Sequence, residues 1–316
     1  MAALPLLSMQ DESAVLRFSI ATTLLIATGG VLFGLFSGSF SIIFDGVYSL
    51  VDASMSALAL AVVRLITSHA VDVDLPRKWR ERFTMGFWHL EPMVLALNGT
   101  LLVAVTVYAL INAITSLLGG GHALRFGPAL LYAALTVSVC ATMAVLELRA
   151  NRRIRSDFLR LDIKSWIMSG GITAALLIAF GAGYAIEGTA WARYAPYIDP
   201  AALAFVCVVI MPIPLAEIRQ ALLDMLLVAP ADLKAQVDAI AVKFVERYAF
   251  LYHRAYVAKV GRSREIELYF VVSPEMPAKR LAEWDAIRDE IGRAIGGDEA
   301  HRWLTILFTC DPEWAE

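Results

Sequence analysis

Residues 37–52 read SGSFSIIFDGVYSLVD. This stretch opens an apolar run over residues 39–67, longer than the roughly 20 residues a helix needs to cross a hydrocarbon core about 30 Å thick. Inside it stand Asp45, Tyr48 and Asp52. An ionisable side chain within a span costs about 3 kcal/mol on insertion scales and marks a functional position by default. At i, i+3 and i+7 the three residues share one helical face, so the sequence predicts a row of oxygen ligands turned toward the interior of a helical bundle. A purely structural polar stripe is the competing reading, but serine or threonine would bond to neighbouring helices at lower cost.

Five further segments approach the same length, at residues 14–36, 90–118, 127–149, 162–186 and 199–216. A turn from Gly34 to Gly38 joins the first two spans, and Gly119, Gly120 and Gly121 break the third from the fourth, so the six spans form three hairpins. The chain is 59% hydrophobic and 18% charged, against about 25% charged for a soluble domain, and its mean hydropathy is +0.64. Lipid, rather than one large core, must cover that apolar surface. A net charge of −3 excludes nucleic acid as a partner, because phosphate binding needs a basic face. The bases mark topology instead. Arg77, Lys78, Arg80 and Arg82 follow the second span, and Arg149, Arg152, Arg153, Arg155 and Arg160 follow the fourth. Short basic loops stay on the cytoplasmic side, which predicts cytoplasmic termini. The stretch before the first span is too short and too acidic for a cleaved signal peptide, so that span is expected to be retained. Cys140, Cys207 and Cys310 have no paired spacing and give neither a disulfide scaffold nor a thiolate zinc site.

From Pro214 onward the composition becomes that of a soluble domain. Val237, Ile240, Ala241, Phe244 and Val245 recur at helical spacing over residues 231–248, alternating strands follow at 254–260 and 265–272, and a helix at 278–295 and a strand at 302–308 complete an αββαβ order. This predicts an all-α membrane bundle of six helices over residues 1–213, and a small α+β domain over 214–316.

The fifth span opens LRLDIKSWIMSGG at residues 159–171, with Asp162, Trp166 and Ser169 on one face. An acid near a helix N-terminus also complements the macrodipole, so Asp162 has a structural reading of its own. Paired with Asp52 it gives two carboxylates and a phenol around one point, a donor set for a hard or borderline divalent cation. The acids within the membrane are expected to fall in these two rows. No HExxH, nucleophile elbow or phosphate loop is present, so the chain does not read as an enzyme.

SGSFSIIFDGVYSLVD at 37–52, FTMGFWHLEP at 83–92, LLDMLLVAPAD at 222–232 and the plan of six spans plus a C-terminal domain together resemble the cation diffusion facilitator family. The resemblance implies export of zinc, manganese, iron or cobalt in exchange for protons, with no cofactor beyond the transported ion. It also implies an integral protein of the bacterial inner membrane. The family carries His or Asp four residues before an Asp in the second span, and those positions here are Tyr48 and Asp52. Its paired ligands in the fifth span fall on Asp162 and Trp166. Tryptophan cannot ligate a metal, so Asp45, Ser165, Ser169 or water would fill the gap, and the loss of imidazole at Tyr48 weakens a zinc preference. In the second motif His89 is either an entry ligand or an interfacial anchor, and Glu91 starts the third span. His69, Asp72 and Asp74 have ligand chemistry in the preceding loop. The C-terminal domain resembles the family's ferredoxin-like dimerisation domain, which implies a homodimer. Of the metal-binding positions there, only His253 and the pair Cys310 and Asp311 retain ligand chemistry, while Tyr269 and Thr309 occupy the others. The gap at Trp166 motivates a second reading, a transport-silent relative that acts as a structural partner or metal sensor in a hetero-oligomer.

Overall fold

The computed structural model describes residues 12–70, 87–122, 124–154, 157–261, 263–297 and 302–315. Among them, six stretches are long and apolar enough to cross a membrane. Two compact units divide the chain: residues 1–58 with 97–217, and residues 59–96 with 218–316.

Helices α1 (Glu12–Ser37) and α2 (Phe40–Ala70) are joined by Gly38 and Ser39 alone. Gly38 takes φ +74°, a left-handed conformation that suits glycine. Gly34, expected in this turn, lies inside α1. A Cβ on Gly34 would stand 2.7 Å from the Ile43 nitrogen, and one on Gly46 would stand 2.8 Å from the Ala27 carbonyl oxygen and the Val31 nitrogen. These glycines let the two backbones touch, as small residues do between membrane helices.

The start of α2 is held from a distant part of the chain. Ser39 caps it, its Oγ accepting the Ile42 N–H at 3.2 Å. Asp199, in α6 (Ala195–Ile210), accepts the Ser39 hydroxyl at 2.7 Å and the Phe40 N–H at 3.1 Å. The buried carboxylate is thus compensated by first-turn donors and by the positive end of the α2 dipole.

Helices α3 (Leu90–Leu118), α4 (Phe126–Ile154) and α5 (Asp157–Ile186) supply the next three spans. The sixth runs over residues 192–225, through a 3₁₀ turn, α6 and α7 (Pro212–Met225), well beyond the expected 199–216. The apolar run gives out at Glu217 and Arg219, while helical structure continues through those more polar turns. Pro212 and Pro214 lack amide donors and divide α6 from α7 at Met211. Ala129 and Ala133 of α4 pack against a core that includes Leu176 and Phe180 of α5 and Leu203 of α6. Leu131 and Ile178 point outward, onto the face that meets lipid.

The C-terminal part runs α8 (Ala231–Tyr248), β1 (Tyr252–Val260), β2 (Ser263–Val271), α9 (Leu281–Ile295) and β3 (Arg302–Thr309), the αββαβ order predicted from periodicity. The sheet order is β1-β2-β3, with β1 antiparallel and β3 parallel to β2. Ile266, Leu268 and Phe270, at alternate positions of β2, share one apolar core with Val237, Ala241 and Phe244 of α8 and with Ile287 and Ile291 of α9. A βαββαβ ferredoxin-like fold has one more strand; among the described residues this sheet has three. The helix expected from residue 278 starts at Leu281, where the Glu283 carboxylate accepts the Arg280 N–H in a capping box.

Candidate cation site

Asp52 of α2 and Asp162 and Trp166 of α5 line one cavity of about 70 Å³, together with Ser19 of α1. One water occupies roughly 10–15 Å³ on this scale, so the space suits a partly hydrated ion. Tyr48 also lines it. Its ring is buried against Phe44, with centroids 5.6 Å apart, while its hydroxyl is buried and, among the described residues, has no hydrogen-bond partner. Ser165 and Ser169 complete the α5 wall. Thus Asp52, Tyr48, Asp162 and Ser169, four of the predicted ligands, converge. They arise from two helices: Tyr48 and Asp52 are i, i+4 on α2, and Asp162 and Ser169 are i, i+7 on α5, so each pair shares one face of its helix.

Asp45 is not among the cavity's lining residues. Its Oδ2 accepts the Thr173 hydroxyl of α5 at 2.9 Å, and the group is buried. The row of three on α2 therefore divides. Tyr48 and Asp52 face the cavity, whereas Asp45, about 10 Å further along the helix at 1.5 Å per residue, pins α2 to α5.

Besides Ser19, three polar residues at or near the cavity escaped the sequence reading. Asn98 of α3 hydrogen-bonds Asp52 through its side chain, while its Oδ1 is buried without a partner among the described residues. Glu217 of α7 lies close enough to interact electrostatically with Asp52 and Tyr48. Glu147 of α4 is fully buried, and its Oε1 accepts the Trp166 indole N–H at 3.0 Å. The same N–H reaches Ser19 Oγ at 2.8 Å. The expectation that membrane acids are confined to the second and fifth spans is therefore corrected by Glu147 and Asp199. Both sit within predicted apolar runs, and that was the signal available. Glu147 was masked by its sequence neighbourhood, LELRANRR at 146–153, which reads as the solvated basic end of a helix.

The remaining predicted residues stand elsewhere. His89 lies in the turn before α3 and shares a groove with Trp88, Asp224 and Glu265. His253 Nε2 is 3.3 Å from Asp238 Oδ1, whose carboxylate also accepts Lys234 Nζ. Asp311 Oδ1 accepts the Glu313 N–H at 3.1 Å and shapes the last 3₁₀ turn. Among the described residues no group of three or more His, Cys, Asp or Glu side chains forms a metal centre. His69 lies in the last turn of α2 rather than in a loop. Asp72, Asp74 and residues 83–86 of the second motif lie outside the described residues.

Comparison with known proteins joins this geometry to a family. The chain is 29% identical over 212 residues, 66% of its length and 67% of the relative's, to the manganese efflux system protein MneP of Bacillus subtilis (strain 168). Residues 16–226, which span all six membrane helices, match the family described as the cation efflux transmembrane domain. With more than half of its length so matched, this integral membrane chain belongs to the cation diffusion facilitator family of cation efflux transporters.

Proposed function

We propose that the chain exports a divalent cation of the manganese type in exchange for protons, by alternating access of the cavity between α2 and α5. The observation that carries this reading is the set of unsatisfied oxygens in one small cavity. The Tyr48 hydroxyl and Asp162 Oδ2 are buried without donors among the described residues, beside Asp52. Buried polar atoms are normally hydrogen-bonded, and open carboxylate and hydroxyl acceptors, in a wall with no histidine or cysteine among the described residues, suit a hard cation better than zinc, which favours imidazole and thiolate. MneP is a manganese exporter by name, in keeping with that donor set. Carboxylates that must be free to ligate a cation bind it in competition with protons, and that competition couples the two gradients. In this reading both termini and the basic loops face the cytoplasm. Two copies pair through the open face of the sheet, where Tyr256 and Trp303 are exposed.

Proteoliposomes test the proposal. Manganese flux accompanied by opposite proton movement, lost in Asp52→Ala while the protein still elutes as a single species, is expected. Undiminished flux in that variant overturns the site. Absence of flux with manganese, iron, cobalt or zinc favours the transport-silent reading, in which Trp166 has closed the site.

A further inference from the structure

We propose that Glu147 is a cation ligand of this carrier, supplying the carboxylate that Trp166 leaves missing, and that Trp166 is the positioning residue that aims it. The inference rests on the transport reading above and adds to it a residue from a third helix.

Glu147 is fully buried, and its Oε1 is held by the Trp166 N–H at 3.0 Å. Among the described residues, no donor reaches Oε2. The Glu147 side chain interacts directly with that of Asp162, whose Oδ2 is likewise without a donor, and Ser19 serves both carboxyls. Asp162 and Trp166, one turn apart on α5, line the cavity that holds Asp52, and Glu147, which is not itself a lining residue, stands behind these two, in contact with both. Two buried carboxyls side by side with open acceptors are a costly arrangement, and a glutamine at 147 would serve packing without that cost. A divalent cation between them satisfies both oxygens at once.

The indole explains how the site tolerates position 166. Its N–H is shared between Ser19 Oγ at 2.8 Å and Glu147 Oε1. It therefore fixes the carboxylate rotamer and leaves Oε2 for the ion, the role that outer partners play for metal ligands. Tryptophan is large enough to span from α5 to both α4 and α1, so it links the acid on α4 to the wall of the cavity.

The test is manganese binding to the purified full-length protein, read from loss of the electron paramagnetic resonance signal of the free aqueous ion. Glu147→Gln preserves shape and is expected to weaken binding by about tenfold or more. Trp166→Phe, which retains both carboxyls and removes only the N–H, is expected to weaken it by about tenfold, the scale set by loss of an outer partner. Glu147→Asp keeps the charge but withdraws the oxygens, so it too should bind less tightly, and it decides the matter if the glutamine variant does not fold. Wild-type affinity in Glu147→Gln or Glu147→Asp, with binding abolished in Asp52→Ala, overturns the role of Glu147 while leaving the cavity intact; the pair then shares a proton and nothing more. Wild-type affinity in Trp166→Phe overturns the positioning role. Wild-type protein that binds no manganese, or binding indifferent to Asp52, instead overturns the transport reading itself.

Discussion

Replacing Tyr48 by phenylalanine should move stability and cation affinity in opposite directions. Tyr48 is 5% exposed and its ring packs on Phe44, and phenylalanine preserves that contact. The hydroxyl is buried without a partner among the described residues, and an unsatisfied buried hydroxyl costs about 1–3 kcal/mol. Its removal should therefore stabilise the cation-free protein by about 1–2 kcal/mol, a rise in melting temperature of roughly 2–8 °C at the 2–4 °C per kcal/mol expected for a domain of this size. If the phenol ligates the ion, the variant loses affinity at the same time. Manganese at a hundred times the wild-type Kd adds about 2.7 kcal/mol to the wild type, but only about 1.4 kcal/mol to a variant bound tenfold more weakly. Thermal unfolding of the detergent-solubilised protein, with and without manganese, measures both quantities in one experiment. A cation-free variant that melts lower than wild type would show that the hydroxyl has a partner, such as an ordered water, and an unchanged manganese increment would show that it does not touch the ion. Tyr48→His extends the test, because an imidazole one turn from Asp52 should raise affinity for zinc relative to manganese.

Asp199→Ala removes the acceptor of the Ser39 hydroxyl and of the Phe40 N–H, and should destabilise the bundle by roughly 2–4 kcal/mol, seen as a lower melting temperature without a change in cation selectivity. Gly46→Ala places a Cβ against backbone atoms of α1 at 2.8 Å. It should cost about 1–3 kcal/mol, and an unshifted melt would mean that α1 and α2 separate freely. In the C-terminal fold, the Tyr248 hydroxyl bonds Glu290 at 2.9 Å, and this bond, helped by Arg247 and Arg293, holds the Glu290 carboxyl below its ordinary range. A depressed carboxyl contributes stability that is fully present above its unfolded value and is lost as pH falls through the folded one. Tyr248→Phe should therefore begin acid unfolding of α8 and α9 at higher pH, followed by amide exchange, and an identical acid limb in the variant would remove Tyr248 from that role.

Hydropathy and charge settled the spans because lipid admits no unsatisfied backbone, so each apolar run of sufficient length had to be a helix. Periodicity did the same for αββαβ, since α8 and α9 each bury one stripe and β2 buries alternate residues. The i, i+4 relation of Tyr48 to Asp52 and of Asp162 to Trp166 was equally legible. Sequence spacing fixes which residues share a face of one helix, but it carries no information about which helix lies opposite at each height. That was decided by tertiary packing alone. Asp45 shares the face of Asp52, yet it meets Thr173 and not the cavity. Asn98 reaches Asp52 from α3. Glu147, concealed beside a basic helix end, is buried because α4 packs along α5 and brings it under the Trp166 indole. Position 166 read from the sequence as a missing ligand; in the folded protein its N–H places a carboxylate from another helix beside Asp162, and only the packing of three helices puts those atoms within reach.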